Sequence, residues 1–100
     1  MPTGGWRLSK DARRDLRGVA LYTRRRWGPE QTDHYRVTLE AAFDRLAAYP
    51  QLGRDRGDLR SEILVFLVEQ HLVVYRADMR GVLILRVIHQ MMDLDGLDLS

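Results

Sequence analysis

Ile63-Leu-Val-Phe-Leu-Val68, His71-Leu-Val-Val-Tyr75 and Val82-Leu-Ile-Leu-Arg-Val-Ile88 are aliphatic, β-branched runs separated by Glu69-Gln70 and by Asp78-Met-Arg-Gly81. Short apolar runs bounded by turn residues predict three strands in an antiparallel meander. A sheet wetted on one face alternates apolar and polar side chains, whereas the first and third runs are nearly all apolar. Both faces of this sheet therefore need a cover.

Upstream, the period changes from strand-like to helical. Ala12, Leu16, Val19, Ala20, Thr23 and Trp27 recur every three or four residues and predict a helix from Lys10 to Trp27 with one buried face, N-capped by Ser9. Gly28-Pro29 ends that helix and starts a second, to about Ala48, with Tyr35, Leu39, Ala42, Phe43 and Leu46 on one side. So short a link makes the pair an antiparallel hairpin. Trp6-Arg7-Leu8 reads as a short strand, and Tyr49 to Arg60, with Pro50, Gly53 and Gly57, as a loop.

The expected fold class is α+β: a short N-terminal strand, an antiparallel helix hairpin and a three-stranded antiparallel meander. Two helices side by side cover one sheet face. The second is assigned first to a partner chain, with or without help from the tail, because a large bare apolar patch marks an interaction surface; the alternative is that the tail alone folds back through Met91, Met92, Leu94, Leu97 and Leu99.

One hundred residues allow one core, so a single domain over 1–100 is expected, with 1–5 and 95–100 as flexible or partner-dependent tails. The absence of Cys excludes disulfides and thiolate chemistry. Neither a signal-peptide pattern nor an apolar run of membrane-spanning length is present, which sets the expectation of a cytoplasmic protein without membrane contact.

Of the 16 basic residues one is Lys10 and the rest are Arg, while 14 acidic residues leave a net charge of +2. The charge is uneven: residues 1–60 carry 13 basic and 8 acidic groups, residues 61–100 only 3 and 6. A basic first part suits an acidic partner or a phosphate backbone, although a net charge of this size holds little nucleic acid by counterion release alone. Arg13, Arg17 and Arg24 share one side of the first helix, with Arg14 and Arg25 beside them, and read first as a solvated face.

His34, His71 and His89 lie at no metal-ligand spacing, so neither metal nor cofactor is expected. Pairing the last two strands about an even turn places His71, Val73 and Tyr75 with Ile84, Arg86 and Ile88 on one face, and Arg76 with His89 on the other. Tyr75 and Arg86 then form either an anion site or a core aromatic beside a partly buried ion pair. An Arg within an aliphatic strand is costly without an anion, and Glu62, Glu69 or a partner carboxylate are the candidates. Phosphate loops, nucleophile elbows and catalytic carboxylate pairs are absent from the sequence, so an enzyme is not expected.

Trp6-Arg-Leu-Ser9 with Ala12, Asp15-Leu16, Tyr22, Arg26-Trp-Gly28, Gln31 and Tyr35 resembles the first half of the ParE branch of the RelE/ParE toxin superfamily. Pro50-Gln-Leu-Gly-Arg54, Leu59-Arg60, His71-Leu-Val-Val-Tyr-Arg76, Ile84-Leu-Arg-Val-Ile-His-Gln90 and Met92-Asp93 are similar to the second half. The resemblance covers about residues 6 to 94. It implies the toxin of a bacterial type II toxin-antitoxin module, inhibiting DNA gyrase without being an enzyme, and neutralised by a ParD-like antitoxin with a ribbon-helix-helix DNA-binding domain. Direct sequence-specific DNA binding by this chain is not implied.

The sister RelE branch cleaves messenger RNA on the ribosome with strand Lys and Arg residues and a C-terminal Tyr, Arg or His. Apolar residues, among them Leu72 and Met92, stand at several of those positions, which disfavours the nuclease. A remnant that only binds antitoxin is the third alternative. On this reading Phe66, Val68, Leu72 and Val74 contribute an antitoxin surface, and Arg60, Arg76 and Arg86 anchor carboxylates or phosphates of a partner.

Overall fold

The computed structural model describes residues 5–92, 94, 96, 97 and 99. The elements run β1 (Trp6–Leu8), α1 (Lys10–Trp27), α2 (Pro29–Ala48), a single 3-10 turn (Pro50–Leu52), β2 (Arg54–Asp55), β3 (Leu64–Val68), β4 (His71–Asp78) and β5 (Gly81–His89). The α+β class and the helix hairpin stand as expected. The meander is the centre of a five-stranded mixed sheet of order β1-β5-β4-β3-β2. β1 joins parallel to β5, through Trp6 opposite Val82 and Leu8 opposite Ile84. β2 pairs antiparallel with β3 inside what reads as loop.

Local chemistry explains the boundaries. The Ser9 hydroxyl accepts from the Ala12 N–H at 2.9 Å and donates to the Leu85 carbonyl at 2.8 Å, so one side chain starts α1 and pins it to β5. Gly28, at φ +94, ends α1 in a conformation open to glycine, and its N–H donates to the Arg24 carbonyl. Pro29 then fills the first turn of α2, where no N–H is needed.

The helices pack on one sheet face around Phe43, Leu46, Val73, Tyr75, Val82, Ile84 and Val87, all essentially removed from solvent. Trp6 stacks edge-on to Phe43 at 5.0 Å and donates its indole N–H to Asp44 at 2.8 Å. α1 buries less than its period suggests: Ala12 and Thr23 are its buried residues, while Ala20 and Trp27 are exposed. They line open clefts, because α1 does not close fully on α2 or on β5.

The second face has its own core of Ile63, Val65, Val74 and Leu85, with Leu59, Leu72 and Leu83 around it. Leu94, Leu97 and Leu99 pack onto that core, so the cover expected first from a partner chain is supplied by the chain's own tail, whose leucines reach back over the face the helices leave bare. The Arg60 guanidinium fastens the tail by donating to the Leu99 carbonyl at 2.9 Å. The expected loose ends lie largely outside the described residues, but within 95–100 Leu97 and Leu99 are packed.

Buried Tyr75 is a structural aromatic, not half of an anion site. Its hydroxyl donates to the Pro50 carbonyl at 2.7 Å and accepts from the Gly53 N–H at 2.9 Å, fixing the chain between α2 and β2. A Cβ at Gly53 would fall 2.5 Å from that hydroxyl oxygen. Because Tyr75 has no room to retreat, Gly53→Ala is expected to cost about 1–3 kcal/mol, seen as a lower urea midpoint at unchanged slope.

Candidate partner-binding site

Between α1, the β3–β4 turn and the end of β5 lies an open groove of about 1220 Å³. α1 supplies Arg14, Gly18, Tyr22 and Arg26 along one wall. Glu69, Gln70 and His71 form the other, with Val87, His89 and Met92 at the base and mouth. Tyr22 and Trp27 are about two-thirds exposed at its rim, and the Arg26 guanidinium lies 5.5 Å from the centre of the Trp27 ring.

A register shift in the β4–β5 pairing between Val74 and Tyr75 organises the groove. Val74 stands opposite Arg86 while Tyr75 stands opposite Ile84, which leaves Leu85 as the extra residue. The bulge overturns the expected alternation: Ile84 and Val87 both belong to the helix-side core, and Leu85 to the opposite one. It also brings His89 opposite His71, against the expectation that they face apart.

Arg86 reaches α1 and not Glu62 or Glu69. Its Nε donates to Asp15 Oδ2 at 2.7 Å and its Nη2 to Oδ1 at 3.1 Å, both side chains being more than four-fifths buried. The same carboxylate accepts from the Val87 N–H at 3.0 Å. A forked pair with an added backbone donor satisfies a charge that the strand would not otherwise tolerate.

At the other wall the Tyr35 hydroxyl sits between His71 Nδ1, at 2.5 Å, and the Val68 carbonyl, at 3.3 Å. Burial, with Glu69 adding to it, pushes the Tyr35 phenol up to about 12. Burial also holds His71 below its usual value, helped by neighbouring His89, whose ring lies 5.6 Å away; Glu69 opposes the shift. A His depressed in the folded state favours the unfolded chain once protons bind there first. Stability should thus hold above about pH 6.5 and decline as the pH drops from there toward the lowered folded value. Urea titrations at several pH values should show that decline, and His71→Gln should remove it.

The sequence-predicted residues do not form one patch. Phe66 and Val68 pack with the helix-side core, Phe66 under the Arg45 guanidinium at 5.8 Å, whereas Leu72 and Val74 belong to the tail-side core. Val68 and Val74 are buried; Phe66 and Leu72 are half-buried. Arg60 holds the tail, exposed Arg76 is paired with Leu83 across the tail-side face, and Arg86 is bound to Asp15. Sequence reasoning missed Asp15, whose signal was a lone acid beside the buried face of α1, and Tyr35, which it assigned only to the core.

Among the described residues no group of His, Asp and Glu is placed to hold a metal, and no helix is long and apolar enough to cross a membrane. Residues 6–94 match the family model of the ParE toxin of the type II toxin-antitoxin system parDE. The chain is 36% identical over 88 residues to Toxin ParE1 of Caulobacter vibrioides, covering 88% of this chain and 91% of that one. It is 35% identical over 89 residues to Toxin ParE1 of Mycobacterium tuberculosis, with the same coverage. A solved structure described as the chromosomal ParDE TA system from P. aeruginosa superposes with a TM-score of 0.75 over 89% of this chain and 98% of that one, at 15% identity. The chain belongs to the ParE toxin family of type II toxin-antitoxin systems.

Proposed function

We propose that the free chain inhibits DNA gyrase by binding, without catalysing a reaction of its own, and that a ParD-like antitoxin with a ribbon-helix-helix domain restrains it in the cytoplasm. The observation carrying this reading is the state of the groove: its strand cation, Arg86, is largely buried and forked onto Asp15, so it braces α1 against β5 and is not displayed to an incoming phosphate. An open groove with an aromatic rim and basic residues fits a docked protein segment. Of the proposed antitoxin contacts, which lie outside the groove, Phe66 meets the partner on the helix-side face with Val68 beneath it, whereas Leu72 and Val74 become available where the antitoxin displaces the tail packed on them. Arg60 and Arg76 anchor its carboxylates, and Arg86 acts through the shape it gives the groove.

One observation favours the ribosome-dependent nuclease instead, namely that His71 and His89 face each other in the same groove. Inducing the chain without its antitoxin separates the readings. Gyrase inhibition predicts DNA breaks and loss of supercoiling with intact transcripts. Cleaved messenger RNA with normal supercoiling would establish the nuclease, and neither effect would identify a remnant that only binds antitoxin.

A further inference from the structure

α1 carries a second surface, turned away from the groove base. At 100° per residue Lys10, Arg13, Arg14, Arg17, Arg24 and Arg25 fall within an arc of about 120°. All six are exposed, and Leu21 is the apolar residue among them. At 1.5 Å per residue the row is about 22 Å long. The acids of the helix lie outside it: Asp15 is turned to Arg86, and Asp11 approaches only Arg14, at 3.9 Å. α2 shows the contrast, since Glu30, Asp33, Glu40 and Asp44 are mixed with Arg36 and Arg45, and Arg36 pairs with Glu40. The net charge of +2 understates this row because the compensating acids sit elsewhere.

We propose that this face of α1 binds the phosphate backbone of duplex DNA, independently of base sequence. Choosing DNA as the source of phosphate rests on the gyrase reading, in which the target holds DNA. The chemistry is local. Guanidinium forks match phosphate oxygens, and a helix about 10–12 Å across fits along a major groove of about 12 Å between two phosphate rows. An acidic peptide would seek the apolar clefts that only Arg14 and Arg17 of the row border, whereas the row itself runs the length of α1 with Leu21 as its apolar side chain. A lipid surface needs an exposed apolar helix face, but Ala12, Leu16 and Val19 are packed against the helix-side core.

The test is fluorescence anisotropy of the full chain with a labelled 20-base-pair duplex of mixed sequence at 50, 100 and 200 mM KCl. With about four of the six cations on phosphates, the salt slope is about −3.6 and Kd rises roughly 150-fold across that range. Changing the base sequence leaves it unaltered. Arg13→Glu/Arg17→Glu/Arg24→Glu should bring the slope to about −1, and Arg36→Glu on α2 should leave it unchanged. Should the triple variant fail to melt cooperatively by circular dichroism, Arg17→Gln/Arg24→Gln must still lower the slope by about 2. Absence of binding at 50 mM KCl, equal loss with Arg36→Glu, or displacement of DNA by poly-glutamate at equal charge concentration overturns the proposal. Gyrase is not used, so this outcome is separate from that of the induction experiment.

Discussion

Replacing Asp15 by alanine is expected to destabilise the fold by about 3 kcal/mol, because it removes the forked carboxylate partner of the Arg86 guanidinium in a site from which most water is excluded. The Val87 N–H loses its acceptor in the same step. For a chain of this length, such a loss lowers Tm by roughly 12–24 °C. The double change Asp15→Leu/Arg86→Met, which removes both charges and replaces them with apolar side chains, should recover the part due to the broken ion pair, while the Val87 N–H still lacks its carboxylate acceptor. Thermal melts of the two variants check the prediction, and equal stability of wild type and Asp15→Ala would mean that the pair contributes nothing.

The second large effect concerns the tail. Leu94, Leu97 and Leu99 are half-buried against Ile63, Val65, Val74 and Leu85. Changing all three to Ser should cost about 3 kcal/mol in lost apolar burial, roughly 1 per leucine. It also bares a sheet face with an apolar core, so the variant should bind a hydrophobic dye and associate as its concentration rises. Urea unfolding, dye fluorescence and light scattering report these effects. An unchanged midpoint and a monomeric variant would show that the tail is not the cover.

The two helices were legible because their apolar period of three to four residues is interrupted only at Gly28-Pro29, where backbone chemistry forces a break. The meander was legible from its runs of aliphatic residues. Its need for a second cover was legible too, but not the choice between tail and partner, which depends on how Leu94, Leu97 and Leu99 meet the sheet. β2 left no mark because Arg54 and Asp55 have no strand preference and are drawn into pairing by Val65 and Leu64.

The site was less visible for one physical reason. Alternation along a strand predicts faces only while the register is constant, and the bulge at Leu85 resets it between Ile84 and Arg86. That single residue separated the expected Tyr75–Arg86 pair and joined His71 to His89. Asp15 lies 71 residues from Arg86 along the chain, a separation at which composition and spacing carry no pairing information.

The short reach of β1 bears on how this sheet avoids joining another. β1 covers β5 only from Val82 to Ile84, and Ser9 then takes the Ile84 and Leu85 carbonyls. Beyond them the outward N–H of Val87 would invite an incoming strand, but the Asp15 carboxylate occupies it. α1 thus acts as an edge guard, and a strand arriving at that side must first dislodge a helix. The opposite margin is less defended, since β2 pairs with Leu64 and Val65 and stops short of Phe66 to Val68. Any extension of the sheet by another chain should begin there.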